Sequence, residues 1–137
     1  MNYYNHLYWV GLLLFIGCKS SSTGSSAATT AQINKKITQK LGDSFTTSYN
    51  TQNTYVLAWK EDRSSGTMVL RYGVWSLSSA ELVYAGSAIN GKVTWLDNES
   101  LLVDDYPGII DGDKQTYQYK IDLKTKTKIP LNEKADL

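Results

Sequence analysis

The side chains best suited to chemistry gather in one short stretch. Asp104-Asp105-Tyr106-Pro107-Gly108 is followed by Asp111-Gly112-Asp113, which places four carboxylates between positions 104 and 113. Carboxylates converging from a loop could hold Ca²⁺, a hard cation that takes six to eight oxygen ligands. The run lacks the alternating spacing and the closing glutamate of a calcium loop, however, and Asp-Gly is ordinary turn chemistry, so no metal site is expected. Asp104 and Asp105 could also be read as the acid and base of a glycosidase. Consecutive strand residues face opposite sides, and such a pair must flank a substrate cleft that a small domain can hardly provide. Tyr106 stands out for another reason. It sits beside Pro107-Gly108 in an expected loop, where binding residues concentrate. The expected binding loop therefore comprises Asp104, Asp105, Tyr106, Asp111 and Asp113.

Elsewhere the inventory is thin. Cys18 is the only cysteine and His6 the only histidine, both near the N-terminus, so an internal disulfide, a zinc site of the usual Cys/His type and a histidine-based triad in the body of the chain are excluded. No G-x-S-x-G, phosphate-cradling glycine loop or nucleotide fingerprint occurs, and no motif points to a Ser–Lys dyad. The chain is expected to be non-catalytic and to need no cofactor. Lys+Arg 14 against Asp+Glu 13 gives +1, too little positive charge for a nucleic-acid partner. With 42% hydrophobic and 20% charged residues in 137, the composition is that of one folded domain.

Residues 7–17 read L-Y-W-V-G-L-L-L-F-I-G, an apolar run of 11. A membrane-spanning helix needs about 20 such residues, so this run has the length of a signal-peptide core instead. Leu14-Phe15-Ile16-Gly17-Cys18 resembles a bacterial lipobox, in which a small residue precedes the cysteine that signal peptidase II exposes and lipidates. The resemblance implies a signal peptide over 1–17, a lipid on Cys18 and attachment to the bacterial cell envelope. Lys19 follows Cys18 where many inner-membrane lipoproteins carry aspartate, so an outer-membrane anchor facing the periplasm is the expectation. The apolar run alone also fits an ordinary secretory signal or an uncleaved anchor with an incidental cysteine.

Residues 19–30 are small and polar and cannot bury enough surface to offset the entropy of ordering, which predicts a flexible tether. Its 12 residues would reach roughly 20 Å. Ile33, Ile37 and Leu41 then recur at helical spacing over 31–41, with Thr30 as the expected N-cap and Gly42 just past the end. The stripe is narrow and is expected to pack on the domain. Lys35, Lys36 and Lys40 allow an alternative, a basic helix lying on a membrane surface.

From Gly42 onward the pattern becomes β-rich. Candidate strands cover 44–49, 55–60, 68–77, 81–85, 92–96, 100–104, 116–122 and 127–129, separated by turn pairs such as Asn90-Gly91 and Asp97-Asn98. Tyr55 to Trp59 is apolar throughout and reads as a central strand, whereas Tyr117, Tyr119, Ile121 and Leu123 alternate with polar residues, giving one dry face. Lys124, Lys126 and Lys128 on the last strand discourage edge-to-edge pairing. A gapless shift of 46 lays Tyr49 on Trp95, Tyr55-Val56-Leu57 on Leu101-Leu102-Val103, Trp75-Ser76-Leu77 on Ile121-Asp122-Leu123, and Val83 on Ile129. Each unit is about four strands long and resembles a β-propeller blade, although two blades cannot close a ring.

The expected fold is all-β: an antiparallel meander of about eight short strands in two four-stranded units, forming a sandwich, a small barrel or an open pair, preceded by one short helix. The domain is expected over 42–137, with Trp59, Trp75 and Trp95 supplying much of its core. The function this supports is a lipid-anchored envelope protein presenting a β domain to a protein or glycan partner. An anchored inhibitor or immunity-type protein that blocks a hydrolase is the rival, and a small hydrolase the third possibility.

Overall fold

A computed structural model describes residues 24–106 and 117–131. The lipobox with Cys18, and the loop residues Asp111 and Asp113, lie outside the described residues. The chain opens with α1 (Gly24–Leu41), which buries Ile33 and Ile37 and half-buries Leu41 along one stripe. The stripe is the one expected, but the helix begins seven residues before position 31, and Thr30 lies inside it rather than capping it. The cause is energetic. Ser, Thr and Ala differ in helix propensity by only tenths of a kcal/mol, so once Ile33 and Ile37 fix a packed turn, propagation into the preceding residues costs little. At the other end Gly42 adopts φ +78° and donates its N–H to the Thr38 carbonyl at 2.8 Å, the left-handed closure that suits glycine.

Eight strands follow: β1 (Thr46–Tyr49), β2 (Tyr55–Asp62), β3 (Val69–Ser76), β4 (Leu82–Ile89), β5 (Lys92–Trp95), β6 (Ser100–Asp104), β7 (Gln118–Asp122) and β8 (Thr127–Pro130). Each falls on an expected segment, with β4 extended to Ile89. They form two antiparallel meanders of four strands, β1-β2-β3-β4 and β5-β6-β7-β8, and neither sheet closes on itself.

The pairing also corrects the internal repeat. Tyr49 pairs with Val56 and Trp95 with Leu101, so Val56, not Tyr55, is the counterpart of Leu101. Val56 in turn faces Trp75, as Leu101 faces Ile121. The offset of 46 therefore holds for β1/β5 and β3/β7, and one extra residue in the β1–β2 connection breaks it across β2/β6. Asn50 accounts for that residue. Its Oδ1 accepts the N–H groups of Thr54 at 2.8 Å and Tyr55 at 3.0 Å, folding the longer loop around one buried amide.

Period-two alternation sorts the side chains into layers. Leu57, Leu70, Tyr72 and Val74 from the first sheet meet Val93, Leu101, Val103, Tyr119 and Ile121 from the second, with Trp59 and Trp95 at the margin of this core. The other face of the first sheet presents Val56, Ala58 and Trp75 to Ile33 and Ile37 of α1. The order is thus helix, first sheet, second sheet. Tyr55 to Trp59 is apolar throughout because β2 is covered on both sides. Trp75 alone of the three tryptophans is fully buried, and it belongs to the helix layer.

Candidate functional site: the Tyr106 corner and the edge of the first sheet

The residues at the root of the acidic loop have separate jobs. Asp105 follows β6, and its backbone N–H donates to the Tyr117 carbonyl at 2.8 Å. Its carboxylate then bridges the two sheets: Oδ1 accepts the Ile89 N–H of β4 at 2.8 Å, and Oδ2 accepts the Tyr119 hydroxyl of β7 at 3.1 Å. Both oxygens are thereby occupied by the fold itself. The next residue continues the join, since the Tyr106 N–H donates to the Ile89 carbonyl at 2.8 Å. The end of β4 is in this way fastened to the chain leaving β6.

This fastening sets the pose of Tyr106. Its backbone is fixed, yet its side chain remains 46% exposed, and its ring lies 5.5 Å from that of Tyr117 with a tilt of 38°. Such a tilted aromatic pair favours one ring orientation and presents a pre-ordered apolar surface with a hydroxyl at its tip. Asp104 does not join it. It ends β6 opposite Lys92 and Gln118, and its Oδ1 is buried with no hydrogen-bond partner among the described residues. Of the five residues expected in a binding loop, the structure brings together Asp105, whose carboxylate is a clamp, and Tyr106, whose ring is exposed. Among the described residues no three metal-binding side chains converge.

Behind the corner lies a tyrosine cluster that sequence patterning did not reveal. Tyr72 and Tyr84 stack with ring centroids 6.3 Å apart, and the Lys128 ammonium sits 3.5 Å from the centre of the Tyr119 ring. Lys128 thus does more than guard an edge, since a cation over an aromatic face is attracted by the ring quadrupole. Burial pushes the phenols of Tyr72 and Tyr119 up, well beyond the ordinary tyrosine range, and the Asp105 carboxylate beside Tyr119 adds to the effect. Because the folded values lie above the unfolded ones, the associated stability is complete below the ordinary value near pH 10 and is lost as pH rises above it. Spectrophotometric titration at 295 nm is therefore expected to show most tyrosines ionising normally and a late component that appears only as the fold opens. Tyr72→Phe and Tyr119→Phe are each expected to shrink that late component.

β4 is one edge of the first sheet, with β1 at the other. Its eight residues, L-V-Y-A-G-S-A-I, carry no charge and no proline, the two devices that usually protect an edge. Leu82 and Ile89 are exposed large apolar residues on it. Contrast β8, an edge of the second sheet, where Lys128 and Pro130 supply both devices.

At the opposite end the sheets are joined by residues of which turn signals picked out Asn98 but not Asn50 or Trp95. The Asn50 amide donates to Thr54 Oγ1 at 2.7 Å and to the Asn98 carbonyl at 3.0 Å, Asn98 Oδ1 accepts the Gln52 N–H at 3.0 Å, and Trp95 Nε1 donates to the Ser48 carbonyl at 3.2 Å. These contacts position the two sheets and leave the Tyr106 corner as the better candidate for recognition. Comparison with known proteins gave no matching family model, no similar curated protein and no similar solved structure.

Proposed function

We propose that this chain is a non-catalytic, lipid-anchored protein of the bacterial cell envelope that presents its β domain to a protein partner. The observation that carries the reading is the continuity of the Tyr106 corner with the uncharged edge strand β4, through the Tyr106–Ile89 backbone hydrogen bond. An unprotected edge offers its backbone hydrogen-bonding groups to an incoming strand, and a fixed aromatic at its end supplies a side-chain pocket or anchor. A glycan would use the tyrosine platform but has no comparable use for a strand edge, which is why a protein is favoured. The lipobox-like segment ending at Cys18 supports the anchored part of the reading, with an outer-membrane position facing the periplasm.

Two measurements test it. Mass spectrometry of the mature product is expected to show a chain beginning at an acylated Cys18. A chain that still begins at Met1, or one with a free thiol, refutes the anchor. For the partner surface, Tyr106→Ala is expected to leave stability within about 0.5 kcal/mol, because the ring is exposed and the backbone bond to Ile89 remains. The same variant should weaken partner binding at least tenfold, as expected for an aromatic anchor. Ser87→Pro, at an exposed position of the β4 edge, should weaken it independently. Undiminished binding by both variants removes this surface. An anchored inhibitor would use the same surface, and it differs in predicting a one-to-one complex with a hydrolase.

A further inference from the structure

The charges of this chain are segregated. Every residue before Asp43 that carries a side-chain charge is a lysine (Lys19, Lys35, Lys36 and Lys40), so the first 42 residues hold +4 while the remainder holds −3. Three of those lysines are on α1. Lys35, Lys36 and Lys40 are all exposed, and none makes an ion pair with a carboxylate among the described residues. With Ile33 and Ile37 turned to the first sheet, Lys35 stands on the crown of the helix and Lys36 and Lys40 line one flank. Lys60 extends the basic surface past the helix end, where its ammonium donates to the Asp43 carbonyl at 2.8 Å.

We infer that the outward face of α1 is a docking surface for an anionic lipid bilayer, holding the domain helix-side down. Charge complementarity is the first reason, for α1 carries three lysines and no acidic residue, whereas the chain from Asp43 onward is net negative. The second is reach. Because the helix begins at Gly24, only residues 19–23 separate it from Cys18, and a five-residue coil reaches roughly 12 Å. That distance is close to a Debye length, about 8–10 Å at ordinary salt, so a helix lying along the surface to which Cys18 is attached keeps its lysines within the field. Each lysine within that range strengthens association by roughly fivefold. Apart from Ile33, Ile37 and Leu41, which pack on the first sheet, the helix has no aromatic or large apolar residue, so the contact is electrostatic and superficial, without insertion. In this posture the helix layer faces the lipid and the second sheet faces away. The identity of the surface rests on the anchored reading proposed above, but the charge preference does not.

Lysine footprinting tests it on the full chain. The protein is mixed with vesicles of phosphatidylcholine alone or with about 30% phosphatidylglycerol, labelled with an amine-reactive acetylating reagent, and read peptide by peptide by mass spectrometry. At low salt, labelling of Lys35, Lys36 and Lys40 is expected to slow at least about fivefold on the anionic vesicles relative to the neutral ones, and to recover in about 0.5 M salt. Lys124, exposed on the second sheet, should label at equal rates on both. Equal rates for the helix lysines on the two vesicles, or equal protection of Lys124, overturns the proposal. Flotation of the same samples reports the anchor separately: a lipidated chain rises with neutral vesicles, whereas a chain that rises only with anionic ones retains the charge preference and refutes the lipid.

Discussion

Gly91→Ala is expected to destabilise the domain by more than about 3 kcal/mol, although it adds a single methyl group. Gly91 occupies the two-residue connection between β4 and β5, and its φ is not unusual. What constrains it is proximity: a Cβ there would sit on the backbone carbonyl oxygen of Asp104 and only 2.9 Å from the Ala88 Cβ. Neither neighbour can move cheaply. Asp104 opens the β5–β6 ladder opposite Lys92, and the next residue is the Asp105 clamp on Ile89. Relief of the clash therefore loosens the end of β4, the start of β5 and the Tyr106 corner together. With a urea slope near ~1.5 kcal/mol/M, the midpoint should fall by about 2 M. Gly66→Ala is the control. Gly66 has φ +81° and nothing within 4 Å of an added Cβ, so only backbone strain of about 1 kcal/mol is expected. A Gly91→Ala cost no larger than that of Gly66→Ala would show that the close approach to Asp104 is not what joins the sheets.

The second large effect belongs to the other layer. Trp75→Ala removes a side chain that is 1% exposed from between α1 and the first sheet, where it packs with Ile33, Ile37, Val56, Ala58 and Ala80. Truncations of this kind cost about 3–5 kcal/mol. The site is shaped for the indole: a Cβ at Gly73 would lie 2.7 Å from the ring, so a residue without a side chain on β3 makes the space. Collapse around the void is correspondingly hindered, since the neighbours are strand backbone and β-branched residues. The loss should also be local in character. Helix α1 touches the rest of the chain through this cluster, whereas the inter-sheet core is built from different residues. Hydrogen exchange is expected to accelerate first in α1, ahead of β6 and β7. Simultaneous loss of protection in all three would mean that the helix layer and the sandwich are a single unit.

The fold was largely readable from the chain, for a physical reason. Strand alternation is local, and Tyr119, Ile121 and Leu123 are buried on one face as their spacing implies. The β-branched and aromatic runs are broken by turn residues often enough to separate all eight strands. What was not readable depends on distant contacts. The helix start at Gly24 has no local marker, because a Ser/Ala/Thr run suits a tether as well as a helix. The extra residue in the β1–β2 loop is hidden by the rough likeness of the two apolar triplets, and only the register shows that Asn50 absorbs it. The role of Asp105 was hidden in a different way. Asp105 resembles a ligand donor in sequence, and only the meeting of β4 with the end of β6 reveals that both its oxygens are committed to Ile89 and Tyr119. Tyr106, selected because it neighbours Pro107-Gly108, does prove to be an exposed aromatic on a fixed backbone.

The shared interior of the two meanders has a consequence for turnover. Each sheet keeps its greasy side hidden only by leaning on the other, so a ribbon severed from its mate has no soluble form of its own. A protease that cuts between Ile89 and Lys92 would leave no persistent stump, and the surviving population should consist of whole molecules or none. Degradation of such a module is a threshold event, governed by how often the entire sandwich comes apart.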